Sequence, residues 1–236
     1  ILLYNYIYTS NQFGGGIGSS FSDIIINKSL IAFNYANDAG GVYHSNGYLE
    51  INNSNIVVNG GHATSYQYSA GLYTVSSIGL IKNSIIHSND AAIPNILLID
   101  SDISILYSNV ENGWEGQGNI NENPMFVNYE YEVGNFNLQS TSPCIDAGDP
   151  DLDGDGEDYT TDTNDQDPDG TRMDMGAYYY PYSGPTWYIS TTGSDSNYGS
   201  GNSPFATIQA GIDAASDGDT VIVQAGTYQE ANLQVV

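Results

Sequence analysis

Short runs of β-branched residues broken by Asn, Gly and Ser fill the first part of the chain, and they recur. Residues 26–34 (INKSLIAFN), 51–59 (INNSNIVVN) and 81–89 (IKNSIIHSN) superimpose without gaps, with Ile first, Ser fourth, Ile sixth and Asn ninth, at offsets of 25 and 30 residues. A second landmark moves by the same offsets: Gly15-Gly16-Ile17, Gly40-Gly41-Val42 and Ala70-Gly71-Leu72. Runs this short predict strands joined by tight turns with no room for a crossover helix, so that one repeat is one turn of a coil. Stacked in register, such turns predict an all-β fold, a right-handed parallel β-helix (solenoid). Ile31, Ile56 and Ile86 would form a buried ladder, with Asn34, Asn59 and Asn89 stacked at a bend where their amides bond to neighbouring rungs. Alternation places Ser29, Ile31 and Phe33 on one face with Ser54, Ile56 and Val58, and turns Leu30, Ala32, Asn55 and Val57 outward. The unequal repeat lengths put residues 60–69 in an outward loop. An antiparallel sandwich would explain the alternation but not the double register.

Composition narrows the function classes. Three Lys and Arg face 28 Asp and Glu, a formal charge of −25, which argues against a nucleic-acid partner. The apolar content of 40% is enough for a core. No run of 18 apolar residues suggests a membrane span. The single cysteine, Cys144, has no internal disulfide partner. Both ends are apolar and the first residue is Ile1, so the sequence reads as part of something longer.

The character changes after Asn109. Asn119-Ile120-Asn121, Asn123-Pro124-Met125-Phe126-Val127, Phe136-Asn137-Leu138-Gln139-Ser140, Ser142-Pro143-Cys144-Ile145-Asp146-Ala147-Gly148 and Arg172-Met173-Asp174-Met175-Gly176-Ala177-Tyr178 follow one another. This run resembles the closing segment of secreted bacterial β-helix proteins of the choice-of-anchor Q type, and the resemblance implies a stack of Gly- and Asn-rich rungs ahead of it. Further on, Trp187-Tyr188-Ile189-Ser190-Thr191-Thr192-Gly193, Ser203-Pro204-Phe205-Ala206-Thr207-Ile208-Gln209 and Asp217-Gly218-Asp219-Thr220-Val221-Ile222-Val223 resemble the opening of a pectate-lyase-like β-helix. There a short helix from about Thr207 to Ala215, with Ile208, Ile212 and Ala215 on one side, would lid a coil, and Val221 to Val223 would begin a first rung. The organisation read from these features is coils over 1–112, a closing segment over 113–147, an acidic calcium-loop region over 148–182, and over 183–236 a cap with the first rung of a following module.

The acidic region concentrates the chemistry. Eleven Asp and Glu157 lie between Asp146 and Asp174, against Arg172 alone. Asp149-x-Asp151-x-Asp153-Gly154-Asp155 and Asp165-x-Asp167-x-Asp169-Gly170 both carry an Asp-x-Asp-x-Asp-Gly start, in which alternate carboxylates converge on a hard cation and Gly allows the sharp turn. Thr160 and Gly176 stand where an EF-hand has Glu, so the expected sites are shorter calcium loops, completed by Asp158, Glu157 or Asp174. An acidic solubilising linker is the competing reading.

An enzyme is not expected. Lyases of this architecture need a cationic base beside bound calcium, and the cations are only Lys28, Lys82 and Arg172. Asp38 and Asp90 follow the bend Asn at different offsets and stack poorly as a hydrolytic pair. His44, His62 and His87 share no ligand spacing and read as surface polar residues. Tyr4, Tyr6, Tyr8, Tyr35, Tyr43, Tyr48, Tyr66, Tyr68 and Tyr73 leave a glycan-stacking row open, although Tyr also suits exposed strands. The expectation is an extracellular or cell-surface structural module, stiffened by calcium and repeated head to tail with further copies, either covalently continuous or as separate subunits. A carbohydrate-binding or adhesin module and a degenerate polysaccharide-active enzyme are the alternatives.

Overall fold

The computed structural model describes residues 2–3, 14–36, 39–61, 69–89, 94–130, 134–168, 170–180, 186–197, 199–215, 219–230 and 233–234. Its contacts divide into two units, residues 1–180 and 181–236. The first is built almost wholly of parallel strands. After β1 (Leu2–Leu3), four successive turns of chain each lay down three strands. These are β2 (Ile17–Ser20), β3 (Ile24–Asn27) and β4 (Leu30–Ala32), followed by the short β5 (Tyr35–Ala36); β6 (Val42–Ser45), β7 (Tyr48–Asn52) and β8 (Asn55–Val57), followed by β9 (Gly60–Gly61); β10 (Leu72–Val75), β11 (Ile78–Lys82) and β12 (Ile85–His87); and β13 (Ile96–Ile99), β14 (Asp102–Leu106) and β15 (Asn109–Val110). Like strands of successive turns pair in parallel, giving sheets ordered β2-β6-β10-β13, β3-β7-β11-β14 and β1-β4-β8-β12-β15. Such stacking is compatible with a β-helix or solenoid.

The turns bend at one kind of residue. Phe21, Lys28 and Phe33 follow β2, β3 and β4; Asn46, Asn53 and Val58 follow β6, β7 and β8; Ser76, Asn83 and Ser88 follow β10, β11 and β12. All nine have positive φ, between 44° and 57°. A left-handed residue with a Cβ costs about 1–2 kcal/mol. The cost is offset because the bent residue stays in the ladder: Phe21 N donates to Ser45 O at 2.8 Å, Asn46 N to Val75 O at 3.0 Å, Lys28 N to Asn52 O at 3.0 Å, and Asn53 N to Lys82 O at 3.1 Å.

Ile31, Ile56 and Ile86 are aligned partners, fully buried, with Leu2 and Val110 in the same register at either side. With Val42, Leu49, Ile51, Leu72, Ile81, Ile96, Ile103 and Ile105 they fill the inner core. The paired glycines belong to the same contact. A Cβ at Gly16, Gly41 or Gly71 would meet the Cγ2 of Ile31, Ile56 or Ile86 at 2.7, 2.7 and 3.3 Å, so a bare backbone lets the first sheet close on the isoleucine ladder. That contact is why the two sequence landmarks travel together.

Polar side chains inside the coil are answered by the next rung. Asn34 N and Nδ2 donate to Asn59 Oδ1 at 3.0 and 3.1 Å, and Asn59 N and Nδ2 donate to Asn89 Oδ1 at 2.9 and 3.1 Å. Asn59 Nδ2 also donates to Ile31 O, and Asn89 Nδ2 to Ile56 O, both at 2.9 Å. The ladder runs on through Asn95 to Glu111, whose Oε2 accepts from Asn95 Nδ2 at 2.8 Å. A serine ladder runs beside it: Ser29 N to Ser54 Oγ at 3.1 Å, Ser54 N to Ser84 Oγ at 3.2 Å, and Ser84 N to Ser108 Oγ at 3.1 Å. Ser108 marks a fourth rung, 24 residues beyond Ser84, which the sequence comparison did not separate from the tail because Val110 replaces Ile and no Asn stands ninth.

Three expectations need correction. Leu30, Ala32, Asn55 and Val57 do face away from the inner core, but they are buried. The described residues between 122 and 180 fold back across this outer face. The antiparallel pair β16 (Phe126–Asn128) and β17 (Asn135–Leu138) brings Phe126, Phe136 and Leu138 onto Leu30, Ala32, Val57 and Ile85, together with Cys144 and Met175. Phe33 and Val58 also join this outer cluster rather than the Ile31 face. Their positive φ breaks the two-residue alternation at the bend and turns the side chain out. The third sheet is thus covered on both faces, and a parallel sheet so covered loses clean alternation. Gly60–Gly61, placed in a loop by the repeat lengths, instead pairs in parallel with Tyr35–Ala36; residues 62–68 lie outside the described residues.

The second unit is small. β18 (Thr186–Ile189) pairs in parallel with β19 (Thr220–Val223), and α1 (Ile208–Ala214) lies against both. The helix approaches through Gly211, where a Cβ would meet Ile189 Cδ1 at 2.5 Å and Val221 Cγ1 at 3.1 Å. Thr207 Oγ1 accepts from Ala210 N at 3.2 Å, and the Glu230 carboxylate takes the amides of Ile208 and Gln209 at 2.7 and 3.0 Å. Ala215 is the C-cap, beyond the helix. No helix among the described residues is long and apolar enough to cross a membrane.

Candidate metal centre

The acidic segment is pinned to the coil before it forms any site. Lys82, at the end of β11, forms an ion pair with Asp149. The next residue, Asn83, accepts the Asp149 amide on Oδ1 and the Gly176 amide on its carbonyl, both at 2.7 Å. Asn55 Oδ1 accepts the Ala177 amide at 3.1 Å. Asp174, buried, takes the amides of Asp146 and Tyr180 on its two oxygens, at 2.7 and 2.5 Å. Asn53 Nδ2 donates to Asp174 O at 3.4 Å, so the rung residues at positions 53, 55, 82 and 83 form a landing strip for residues 146–149 and 174–177.

Beyond those pins the chain loops into solvent around carboxylates. Asp151 Oδ1 accepts from Gly154 N at 2.8 Å and Oδ2 from Gly156 N at 3.1 Å, a wrap that requires the positive φ of Gly154 (78°) and Gly156 (93°). Asp153 takes the Asp155 amide at 3.2 Å, and Asp155 takes the Glu157 amide at 2.8 Å. Residues Thr163–Asp165 form a single 3-10 turn capped by Asp162, and this turn carries Asp165 back under the first loop, where its Oδ1 accepts from Leu152 N at 2.6 Å. Carboxylate oxygens of Asp151, Asp153 and Asp165 then lie within 4.8 Å of one another, as do those of Asp153, Asp155 and Asp162.

The electrostatics of the cluster are unfavourable as they stand. The Asp155 amide draws the Asp153 carboxyl down, but desolvation and the charges of Asp155, Asp165 and Asp162 outweigh it, and Asp153 titrates above the usual carboxylate range. Asp158, by contrast, is held below that range by the hydroxyl and amide of Thr160. Lys82 pairs with Asp149, and Arg172 donates from Nε to Gly148 O at 2.6 Å with its guanidinium 5.9 Å from the Tyr107 ring centroid.

Of the ten ligands named from sequence, the structure therefore gathers Asp151, Asp153 and Asp165, and adds Asp155 beside Asp153. Asp149 serves as the partner of Lys82, and Asp174 as an amide clamp. Glu157 and Asp158 are exposed in the outer turn. Asp167 is buried and lines a cleft of about 210 Å³ with Lys28, Asn53, Asp174 and Tyr179. Asp169 lies outside the described residues, as do Asp38, Asp90, His62, Tyr4, Tyr6, Tyr8, Tyr66, Tyr68, Asp217 and Gly218. Asp162 was missed because it belongs to neither motif; its only signal is position, four residues after Asp158 and three before Asp165.

The remaining candidates resolve into structural parts. His44, read as a surface residue, is fully buried within β6, and burial holds it below its ordinary value against the opposing pull of the Gly47 backbone and Asp23. His87 is half-buried, and desolvation likewise lowers it against the charge of Glu111. Burial pushes the Cys144 thiol up to about 11, leaving it an inert core group that accepts from Asn109 Nδ2 at 3.2 Å. Tyr43 and Tyr73 meet edge to face, ring centroids 5.5 Å apart, on the outer side of the first sheet, whereas Tyr48 stands on the second. No protein-family model, no curated protein and no solved structure matched this chain.

Proposed function

We propose that the chain is a structural module of an extracellular or cell-surface protein, a right-handed parallel β-helix whose acidic segment is stiffened by calcium, working in series with further copies rather than as an enzyme. The observation that carries this reading is the continuous asparagine ladder, Asn34 to Asn59 to Asn89, buried and bonded from rung to rung along the stack. Such a ladder ties each turn to the next by side chain as well as backbone, which is what a part built for reach and stiffness requires. The resemblances to choice-of-anchor Q and pectate-lyase-like segments point to the same kind of secreted solenoid. The outer face is consistent with it too, since the segment that would be free to shape a substrate groove is spent on covering the third sheet.

The test is electron microscopy and sedimentation of the purified chain with millimolar calcium, run beside a glycan array. Elongated particles or head-to-tail fibres without glycan retention are expected. Compact monomers that bind a defined sugar would overturn the structural reading in favour of a glycan-binding module.

A further inference from the structure

We propose that the two Asp-x-Asp-x-Asp-Gly strings build one shared seat for a hard divalent cation of the calcium class, on Asp151, Asp153 and Asp165, rather than two separate loops. The inference deepens the reading above and rests only on its metal half. Convergence of three carboxylates is one observation. The second is Asp165 itself. It is 0% exposed, its Oδ1 is taken by the Leu152 amide, and its Oδ2 is buried with no hydrogen-bond partner. A carboxylate oxygen withdrawn from water and left without a donor needs a positive partner, and the Asp165 carboxylate has an oxygen within 4.8 Å of carboxylate oxygens of Asp151 and Asp153.

The surrounding bonds fit that role. The amides of Gly154 and Gly156 fix the Asp151 carboxylate but leave each oxygen a further lone pair, so orientation and ligation are compatible. Asp165 comes from the second string and enters the first through the 3-10 turn, while Asp167, two residues on, faces the separate cleft beside Lys28. The second string is therefore divided between two places. Three carboxylates, with water and backbone carbonyls filling the other positions, suit the six to eight oxygens that calcium takes and exceed the one or two carboxylates usual for magnesium.

Isothermal titration calorimetry of the chelated full chain with calcium chloride, with circular dichroism confirming the coil, decides it. One ion per chain is expected, with affinity at least tenfold weaker in Asp165→Asn. Asp153→Asn, at an exposed position that does not threaten folding, should weaken binding similarly, and Asp158→Asn should leave it unchanged. Two ions per chain, no binding by a folded chain at millimolar calcium, or wild-type affinity in Asp153→Asn or Asp165→Asn would overturn the shared seat. Because binding is read directly, a chain that takes up calcium but forms no elongated particles would sink the module reading alone.

Discussion

In the coil, Asn59 accepts the amide of Asn34 on Oδ1 and donates from Nδ2 to Ile31 O; in the acidic segment, Asp151 accepts the amides of Gly154 and Gly156 and has nothing to donate. Both regions organise backbone by lending it a side-chain oxygen. The amide can pass the bond on, because it is donor and acceptor at once, and so it stacks without limit. The carboxylate can only receive. Each added Asp therefore adds charge that the chain does not answer, and the loop stays small, exposed and dependent on something positive. The comparison teaches that a repeat of Asn builds length, whereas a repeat of Asp builds a ligand site.

Exchanging the two chemistries should break the coil most. Asn59→Asp keeps the acceptor for Asn34 but loses both donors, so that a carboxylate faces Ile31 O and Asn89 Oδ1 in a buried bend. Asn89 Oδ1 keeps the Asn59 backbone amide, but Ile31 O loses its side-chain donor at about 1–3 kcal/mol, and the new carboxylate is buried against two oxygens, so a loss of about 3 kcal/mol or more is expected. Urea unfolding should show this as a lowered midpoint with an unchanged slope. A loss under about 1 kcal/mol would mean that the ladder is not a source of the coil's stability.

The coil was legible in the sequence because its constraints are periodic. Ile, Ser, Asn and Gly recur at fixed offsets, and each recurrence reflects a contact between neighbouring turns. The bends were not legible: Phe21, Phe33 and Val58 carry no left-handed preference and hold it only because the ladder on both sides imposes it. Nor was the cover. Leu30 and Ala32 look like outward positions of a one-sided sheet until the described residues between 122 and 180 return to them from far along the chain. The acidic centre was half legible, since spacing finds Asp151, Asp153 and Asp165 but cannot say that Asp149 goes to Lys82 or that the second string splits.

Adjacent isoleucines on β12 separate the two faces of the third sheet. Ile86 belongs to the inner core and Ile85 to the outer cluster, and both are fully buried. If the cover is as well packed as the interior, Ile85→Ala and Ile86→Ala should each cost about 3 kcal/mol. The sharper reading is their difference in hydrogen exchange. Ile86→Ala should raise exchange throughout the strands, whereas Ile85→Ala should raise it first over residues 126–138 and 144–175. An Ile85→Ala cost of only a few tenths of a kcal/mol would return the outer face to solvent and undo the correction.

The coil has its own exception to the rule that its polar groups are answered, and the smallest effect tests it. His44 is buried with no well-formed hydrogen bond to either ring nitrogen, the Gly47 backbone lying near but poorly aligned, and Thr74, its aligned neighbour on β10, has a buried hydroxyl without a partner. Desolvation lowers the folded-state pKa of His44 below the ordinary value of 6.5, against the raising influence of the Gly47 backbone and Asp23. Above that value the ring is neutral in both states and pH has no hold on it. As pH falls through it, the unfolded chain takes up the proton first, so acid favours unfolding, with a slope bounded at about 1.4 kcal/mol per pH unit for one proton. His44→Leu should remove this dependence and fit the stack, since Leu98 already occupies the same register position next to Thr74. Carboxylates and His87 titrate in both proteins, and only the gap between them reports His44. That gap should widen steadily in favour of His44→Leu between about pH 7 and pH 5, measured by urea midpoints at matched ionic strength; a gap that stays constant would show the coil accepting a charge there as readily as water does.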